Sequence, residues 1–229
     1  MLYMPFDPLY LFLVIPTLIF SMWAQYRVTS SFKKYSMKYT RNGITGAEAA
    51  REVLRRAGIN NVQIERVKGN LSDHFDPRTN VIRLSENVYD TPSVAAVGVA
   101  AHEAGHAVQY ANAYAPMKLR AAIIPVTNIG SKLSIPLVIL GIALGMTGLV
   151  NIGIILFGAV VVFQLITLPV EFNASRRAVA VLGESGILTG DELPASKKVL
   201  SAAALTYVGA LAVSLAQLIR LIDMSRRRR

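Results

Sequence analysis

The sequence predicts a mainly α-helical membrane protein that carries a small α+β part, and three observations support that class. Apolar residues fill 53% of the 229 positions and charged residues only 17%, with a mean hydropathy of +0.43. That balance is too apolar for an ordinary soluble domain. The 24 Lys and Arg outnumber the 14 Asp and Glu, for a net charge of +10. These basic residues cluster beside apolar stretches and at the C-terminus, where topology and anionic lipid account for them better than nucleic acid does. Finally, residues 102–106 read His102-Glu103-Ala104-Gly105-His106, which holds two of the chain's three histidines.

Residues 1–26 read as an N-terminal transmembrane anchor with its apolar stretch over 9–24 and Pro16 inside it. A cleaved signal peptide fits less well, because no Lys or Arg precedes the stretch and no small-residue cleavage site follows. Arg27, Lys33, Lys34, Lys38 and Arg41 follow without one acid. By the positive-inside rule that flank is cytoplasmic and the N-terminus lies outside. Tyr3, Tyr10, Trp23 and Tyr26 suit the two interfaces.

Residues 27–120 read as a cytoplasmic α+β part. Thr45-Gly46-Ala47-Glu48 is a capping box that opens a helix, and Gly58 ends it. Residues 62–67 alternate as a strand, 68–70 turn and 71–75 can return. Asp76-Pro77-Arg78-Thr79-Asn80 turns into a further strand at 81–84, so a helix followed by a hairpin is expected. The strand at 81–84 is a candidate edge for pairing with an extended peptide substrate. Thr91 as cap and Pro92 in the first turn then start a helix over 93–110.

Residues 121–170 read as a transmembrane hairpin, with spans at 133–147 and 149–170 joined by Gly145-Met146-Thr147-Gly148. Lys132 leads to 121–131 being read as interfacial or packed on the domain, with the lysine snorkelling. Residues 171–200 read as a helical part that begins at Glu171. Residues 201–229 form an apolar C-terminal helix and a basic tail, Arg226 to Arg229. Residues 201–222 are long enough to cross, although crossing places the arginines outside, against the charge rule.

Residues 102 and 106 stand about one helical turn apart, so their imidazoles share a face and can share one metal ion. Glu103 lies beside them and can reach a water on that ion. Ligands, an activated water and a base are the needs of a zinc hydrolase, with one Zn2+ per chain. A catalytic site needs a third protein ligand, and with no cysteine the candidates are Glu171, Glu184 and His74. Glu171 is preferred, since the hairpin returns it to the side that holds the histidines. His74 is also a candidate donor to the anionic intermediate, beside Arg176 and Arg177; the competing reading has it supporting a turn with Asp73 or Asp76.

Four blocks together resemble the bacterial neutral zinc membrane metallopeptidases of the YugP type. They are His102-Glu103-Ala104-Gly105-His106; residues 71–78, Leu-Ser-Asp-His-Phe-Asp-Pro-Arg; residues 84–89, Leu-Ser-Glu-Asn-Val-Tyr; and Pro169-Val170-Glu171-Phe172 followed by Ser175-Arg176-Arg177-Ala178. More distantly, the order of motif helix, membrane hairpin and downstream Glu is similar to HtpX-type membrane proteases and CAAX prenyl proteases. The resemblance implies a zincin-like (gluzincin) site, with His102, His106 and Glu171 as zinc ligands and Glu103 as general base. In those distant relatives an Asp four residues after the zinc Glu supports a ligand histidine. Ser175 stands there in this chain, with Asn173 nearby, which leaves open what orients the imidazoles.

The expected function is therefore a membrane-bound zinc metalloendopeptidase at the cell membrane, multi-pass, with its site on the cytoplasmic side. The partners expected are a peptide or membrane-protein substrate and the lipid bilayer, and no nucleic acid. A transporter would place ionisable groups in membrane helices too, but no internal repeat is visible. A non-catalytic metal scaffold would need the histidines and not Glu103. An intramembrane protease would bury residues 93–110 in the bilayer, against the polar flanks at Asp90 and at Gln109 to Asn112.

Overall fold

The computed structural model describes residues 7–226; Tyr3 of the aromatic belt and residues 227–229 of the basic tail lie outside the described residues. The architecture is mainly helical with one small sheet. In chain order come a π-helical turn Tyr10–Val14, α1 Ile15–Ser36, α2 Gly46–Arg56, β1 Gln63–Val67, β2 His74–Asp76 and β3 Val81–Ser85. There follow α3 Glu86–Tyr89, α4 Val94–Ala111, α5 Ala115–Ala143, α6 Thr147–Glu184 and α7 Glu192–Arg226. The helical stretches Tyr10–Ser36, α5, α6 and α7 are long and apolar enough to cross a membrane. The chain divides into two compact units: residues 1–24, 119–168 and 205–229, and residues 25–118 and 169–204.

The second unit holds the sheet and α4. α2 begins on the expected capping box: Thr45 Oγ1 accepts from Glu48 N at 3.3 Å, and Glu48 Oε2 accepts from Thr45 N at 2.8 Å. It ends at Gly58, whose φ of +70° is the left-handed conformation that glycine adopts without strain. α4 is rich in Ala, Val and Gly, and most of it is buried. Against it pack Val53 and Leu54 of α2, Ile82 and Leu84 of β3, and Ala178 and Leu182 of α6.

Two expectations change here. The sheet order is β1-β3-β2, with β1 parallel to β3 (Gln63 opposite Val81) and β2 antiparallel to it (His74 opposite Arg83). The hairpin is thus β2–β3, and β1 does not pair with the segment that follows it. β3 takes the centre because Val81, Ile82 and Leu84 are all buried, while β1 exposes Gln63, Glu65 and Arg66 and suits an edge. With both sides paired, β3 has no free edge for a guest peptide. Helix α4 also starts differently. Ser93 is its cap, accepting from Ala96 N at 3.2 Å, because residues 91–93 stay extended. Thr40 N donates to Pro92 O at 2.8 Å and Val94 N to Lys38 O at 2.9 Å, which pins that segment to the chain after α1.

In the first unit α5 and α6 form an antiparallel pair. The buried face of α5 is the stripe Thr127, Gly130, Ser134, Val138 and Gly141, and Gly130 and Gly153 sit where an added Cβ would come within 2.7 Å of a carbonyl oxygen across the pair. α5 is continuous from Ala115 to Ala143, so Lys132 stands mid-helix, and residues 121–131 are not a separate interfacial segment. Helix formation simply continues through Pro125 and Pro136, which cost the helix two N–H donors. α6 likewise runs unbroken through Glu171, which therefore begins no new helix. α7 runs antiparallel to the start of the chain. Gly209 lies on Ser21, and Arg220 pairs with Asp7 and covers the Tyr10 ring at 5.0 Å.

The turn between β2 and β3 hangs on Asp76. Its Oδ1 accepts from Arg78 N at 2.9 Å and its Oδ2 from Thr79 Oγ1 at 2.9 Å, with Arg83 also in reach at 3.3 Å. These donors hold the carboxyl at about 2, below its ordinary 3.8. A depressed carboxyl stabilises the fold above the unfolded value and loses that contribution as pH falls through the folded one. Asp76→Asn is therefore expected to melt below the native chain at pH 7, with the gap closing between pH 4 and pH 2. Thermal unfolding in detergent at stepped pH reads it; a gap constant with pH would rule out the charge as its source.

Candidate metal centre

His102 and His106 project from one face of α4, and Glu171 of α6 closes the group. Glu171 Oε2 lies 3.2 Å from His102 Nε2 and 3.4 Å from His106 Nε2. The three ligand atoms fall within 4.8 Å of one another, the only such group of three or more His, Asp or Glu among the described residues. The rings meet nearly edge to face, centroids 4.7 Å apart. Glu171 is 2% exposed and His106 7%.

This convergence depends on Gly105. A Cβ at Gly105 would stand 2.9 Å from the Ala174 carbonyl oxygen, closer than real packing allows. With hydrogen there, the α6 backbone seats directly against α4, and the side chains on either side of Ala174 reach the two histidines.

Each imidazole is held from behind. His102 Nδ1 lies 3.1 Å from Ser175 Oγ, and His106 Nδ1 lies 3.0 Å from Gln109 Oε1. The Gln109 amide is fully buried, and its Nε2 donates to Val170 O at 2.8 Å and to Asn173 Oδ1 at 3.0 Å. With Nε2 committed as donor, Oε1 is an acceptor, so the neutral His106 carries its proton on Nδ1. Arg177 Nε in turn donates to Asn173 Oδ1 at 2.8 Å. The lone pair left on His106 Nε2 then faces a carboxylate oxygen, an arrangement that repels itself unless a cation or a proton sits between them. Burial works to lower the His106 pKa, but the Glu171 hydrogen bond and the charges of Glu103 and Glu171 outweigh it and raise the value. Two imidazoles and one carboxylate are the donor set of a zinc site with an open position. The residues fit zinc.

Glu103 stays out of that group. Its Oε2 accepts from Phe75 N at 3.1 Å, which turns the outer edge of β2 toward it, and its Oε1 has no partner among the described residues. The Phe75 ring meets Tyr110 at 5.8 Å. Asp73 is tied to Ser85, whose N donates to Oδ1 at 2.7 Å. Burial pushes the Asp73 carboxyl up, and the Glu103 charge adds to that.

Of the other sequence candidates, His74 is an exposed residue of β2 whose Nδ1 engages Ser72 O at 2.8 Å. Glu184 is exposed at the end of α6, and Arg176 is exposed. None of these joins the group. Gln109 was missed, although its position three after His106 on the same helix places the two side by side. Ser175, at the position where the distant relatives carry a supporting Asp, meets His102, and Asn173 beside it serves His106 through Gln109.

A helical protein with membrane-length apolar helices and a buried His-His-Glu group has the make-up of a membrane metallohydrolase. The chain belongs to the family described as "Putative neutral zinc metallopeptidase", which matches residues 10–226. It is 49% identical over 214 residues to the "Putative membrane protease YugP" of Bacillus subtilis (strain 168), an alignment that covers 93% of this chain and 95% of that protein. No solved structure matches it. The chain is thus a membrane protein of a zinc peptidase family.

If Gln109 fixes the His106 tautomer, Gln109→Leu is expected to weaken zinc binding by about 10- to 100-fold while the helical content stays native. Chelator competition on detergent-purified protein, beside circular dichroism, measures both. Native affinity in the variant would show that Gln109 packs and does not orient.

Proposed function

We propose that this chain is a membrane-bound zinc endopeptidase that holds one zinc through His102, His106 and Glu171 in a gluzincin-like site. The observation that carries the reading is the buried convergence of those three ligand atoms with Glu103 next to His102 in the His-Glu-x-x-His sequence. When bound, zinc supplies Lewis-acid chemistry, bringing the pKa of a water toward neutrality and polarising a carbonyl. Glu103 is the general base. The Phe75 N–H engages Oε2 and leaves Oε1 to take the water proton and return it to the leaving amine. Ser175 and Gln109 keep the imidazoles oriented through the cycle. The substrate is a peptide or a membrane protein presented as an extended strand. The outer edge of β2 supports that reading, being an edge strand with its Phe75 N–H turned to the base.

The cytoplasmic side is assigned to the site by the run Arg27, Lys33, Lys34, Lys38 and Arg41. Four crossings are inferred. The pairing of Arg220 near the end of α7 with Asp7 before α1 supports a crossing α7, with both chain ends outside.

Glu103→Gln is expected to keep about one zinc per chain, measured by elemental analysis, and to lose at least 100-fold in cleavage of an unfolded casein substrate. Glu171→Ala is expected to lose the zinc itself. No zinc in the native chain after reconstitution would sink the enzyme reading, and full activity in Glu103→Gln would remove Glu103 as base.

His74 is assigned the further donor to the negative charge that develops on the substrate oxygen, in the imidazolium form, since its Nδ1–H is already given to Ser72 O and only that form carries a proton on Nε2. His74→Ala should then lower kcat by about 100-fold or more with zinc content unchanged. Native kcat in that variant returns His74 to a turn-supporting role.

A further inference from the structure

Within the membrane unit, the face of α5 turned away from α6 is apolar except at its middle. Asn128 and Lys132 are four residues apart there, both exposed, opposite the buried stripe Thr127, Gly130, Ser134, Val138 and Gly141. Among the described residues Lys132 forms no ion pair or hydrogen bond. It stands twelve positions after Arg120 and thirteen before Gly145, which is about 18 Å and 20 Å of helix on either side. In a hydrocarbon layer about 30 Å thick that is the middle. A lysine stem reaches about 6 Å, too short to bring the ammonium to either headgroup region.

The backbone adds to the demand. Pro125 and Pro136 lie inside α5, and each lacks the N–H that would bond the carbonyl four residues earlier. The carbonyls of Ala121 and Lys132 are thereby freed on this side of the helix, and lipid offers them no donor. A charged ammonium, an amide and two freed carbonyls, all facing hydrocarbon, require a covering helix with polar groups at matching depth.

A second copy of this chain does not meet that need. No Asp or Glu occurs between Glu103 and Glu171, none in α1, and none in α7 between Glu192 and Asp223. Face-to-face copies would bring lysine against lysine.

We propose that this face of α5 is a docking surface for a transmembrane helix of a different protein, one that carries an Asp or Glu near its middle. The proposal rests on the inferred crossing of the membrane by α5. Lys132 supplies the charge the carboxyl pairs with, Asn128 a second hydrogen bond one turn away, and the compact side chains of Ala121, Pro125 and Pro136 permit close approach. Positive charge on this helix selects for an acidic partner over an all-apolar one, which packing alone would not do.

The test uses the full chain in liposomes. The chain has no cysteine, so Met146→Cys in the hairpin tip takes a single donor dye. The probes are two synthetic 23-residue Leu/Ala helices with an acceptor dye, one with a central Asp and one with Leu in its place. Energy transfer is expected to show about tenfold tighter association for the Asp helix. That preference should vanish in Lys132→Met and persist in Lys132→Arg, with zinc content native in both as the sign of an intact fold. Equal association of the two helices, a preference that survives Lys132→Met, or self-association of copies that depends on Lys132 would each overturn the proposal. The crossing is checked separately: a membrane-impermeant maleimide should label Met146→Cys from the outside of intact cells and Lys38→Cys only after lysis. Labelling of both from one side defeats the crossing itself.

Discussion

Three candidate metal-ligand atoms converge on one point, and much of the second unit serves that constraint. Two imidazole Nε2 atoms and a carboxylate oxygen within 4.8 Å are held together best by positive charge among them. That charge is not readily replaced by water, because Glu171 and His106 are nearly sealed from it. The residues behind the imidazoles hold the rings in place: Gln109 takes the proton side of His106, and Ser175 Oγ meets Nδ1 of His102. The site is thus prepared for a cation by hydrogen bonds that never touch it.

Backbone proximity makes this possible. α4 carries alanine, valine and glycine where a soluble amphipathic helix would carry leucine, and its glycines face neighbouring backbone or a short side chain. Gly105 admits the Ala174 carbonyl, and Gly98 admits the Ser196 side chain. Larger residues at either point would push the neighbouring helix outward by about the width of a methyl group. Ligand positions that tolerate only a few tenths of an ångström would then be lost. The apolar composition of α4 therefore reflects the close seating of helices around the candidate metal ligands. A passage through the bilayer is not needed to explain it, which weighs against the intramembrane-protease reading of residues 93–110.

What was legible in the sequence was local. A five-residue pattern shows His102, Glu103 and His106 because the helix period alone puts the imidazoles together, and the Thr45 cap and Gly58 stop are equally short-range. Strand order was not legible. The parallel pairing of β1 with β3 joins segments on either side of β2, and no turn signal encodes it; only the greater burial of β3 marks it as central. The Asp76 turn was visible as chemistry, yet its consequence, a β2 edge turned to Glu103, needed the third dimension. The role of Gln109 is an intermediate case. Its spacing from His106 was readable, but its partners Val170 and Asn173 lie 61 and 64 positions away.

Arg220 and Lys132, two of the cations on the membrane unit's helices, show how charge is handled there. Arg220 is fully provided for: Asp7 accepts from its Nε, the Tyr10 ring lies under its guanidinium, and Asp7 also caps the first turn through Leu9 N. A long-range pair of that kind ties the last helix to the first, and its partial burial is tolerable because both charges are matched. Lys132 has no such counterpart among the described residues. A chain that neutralises one cation with an acid 213 positions away, while it keeps the whole interval from Glu103 to Glu171 free of acids, leaves the other for an acid it does not itself contain. The contrast between the two sites assigns Arg220 to the fold and Lys132 to recognition.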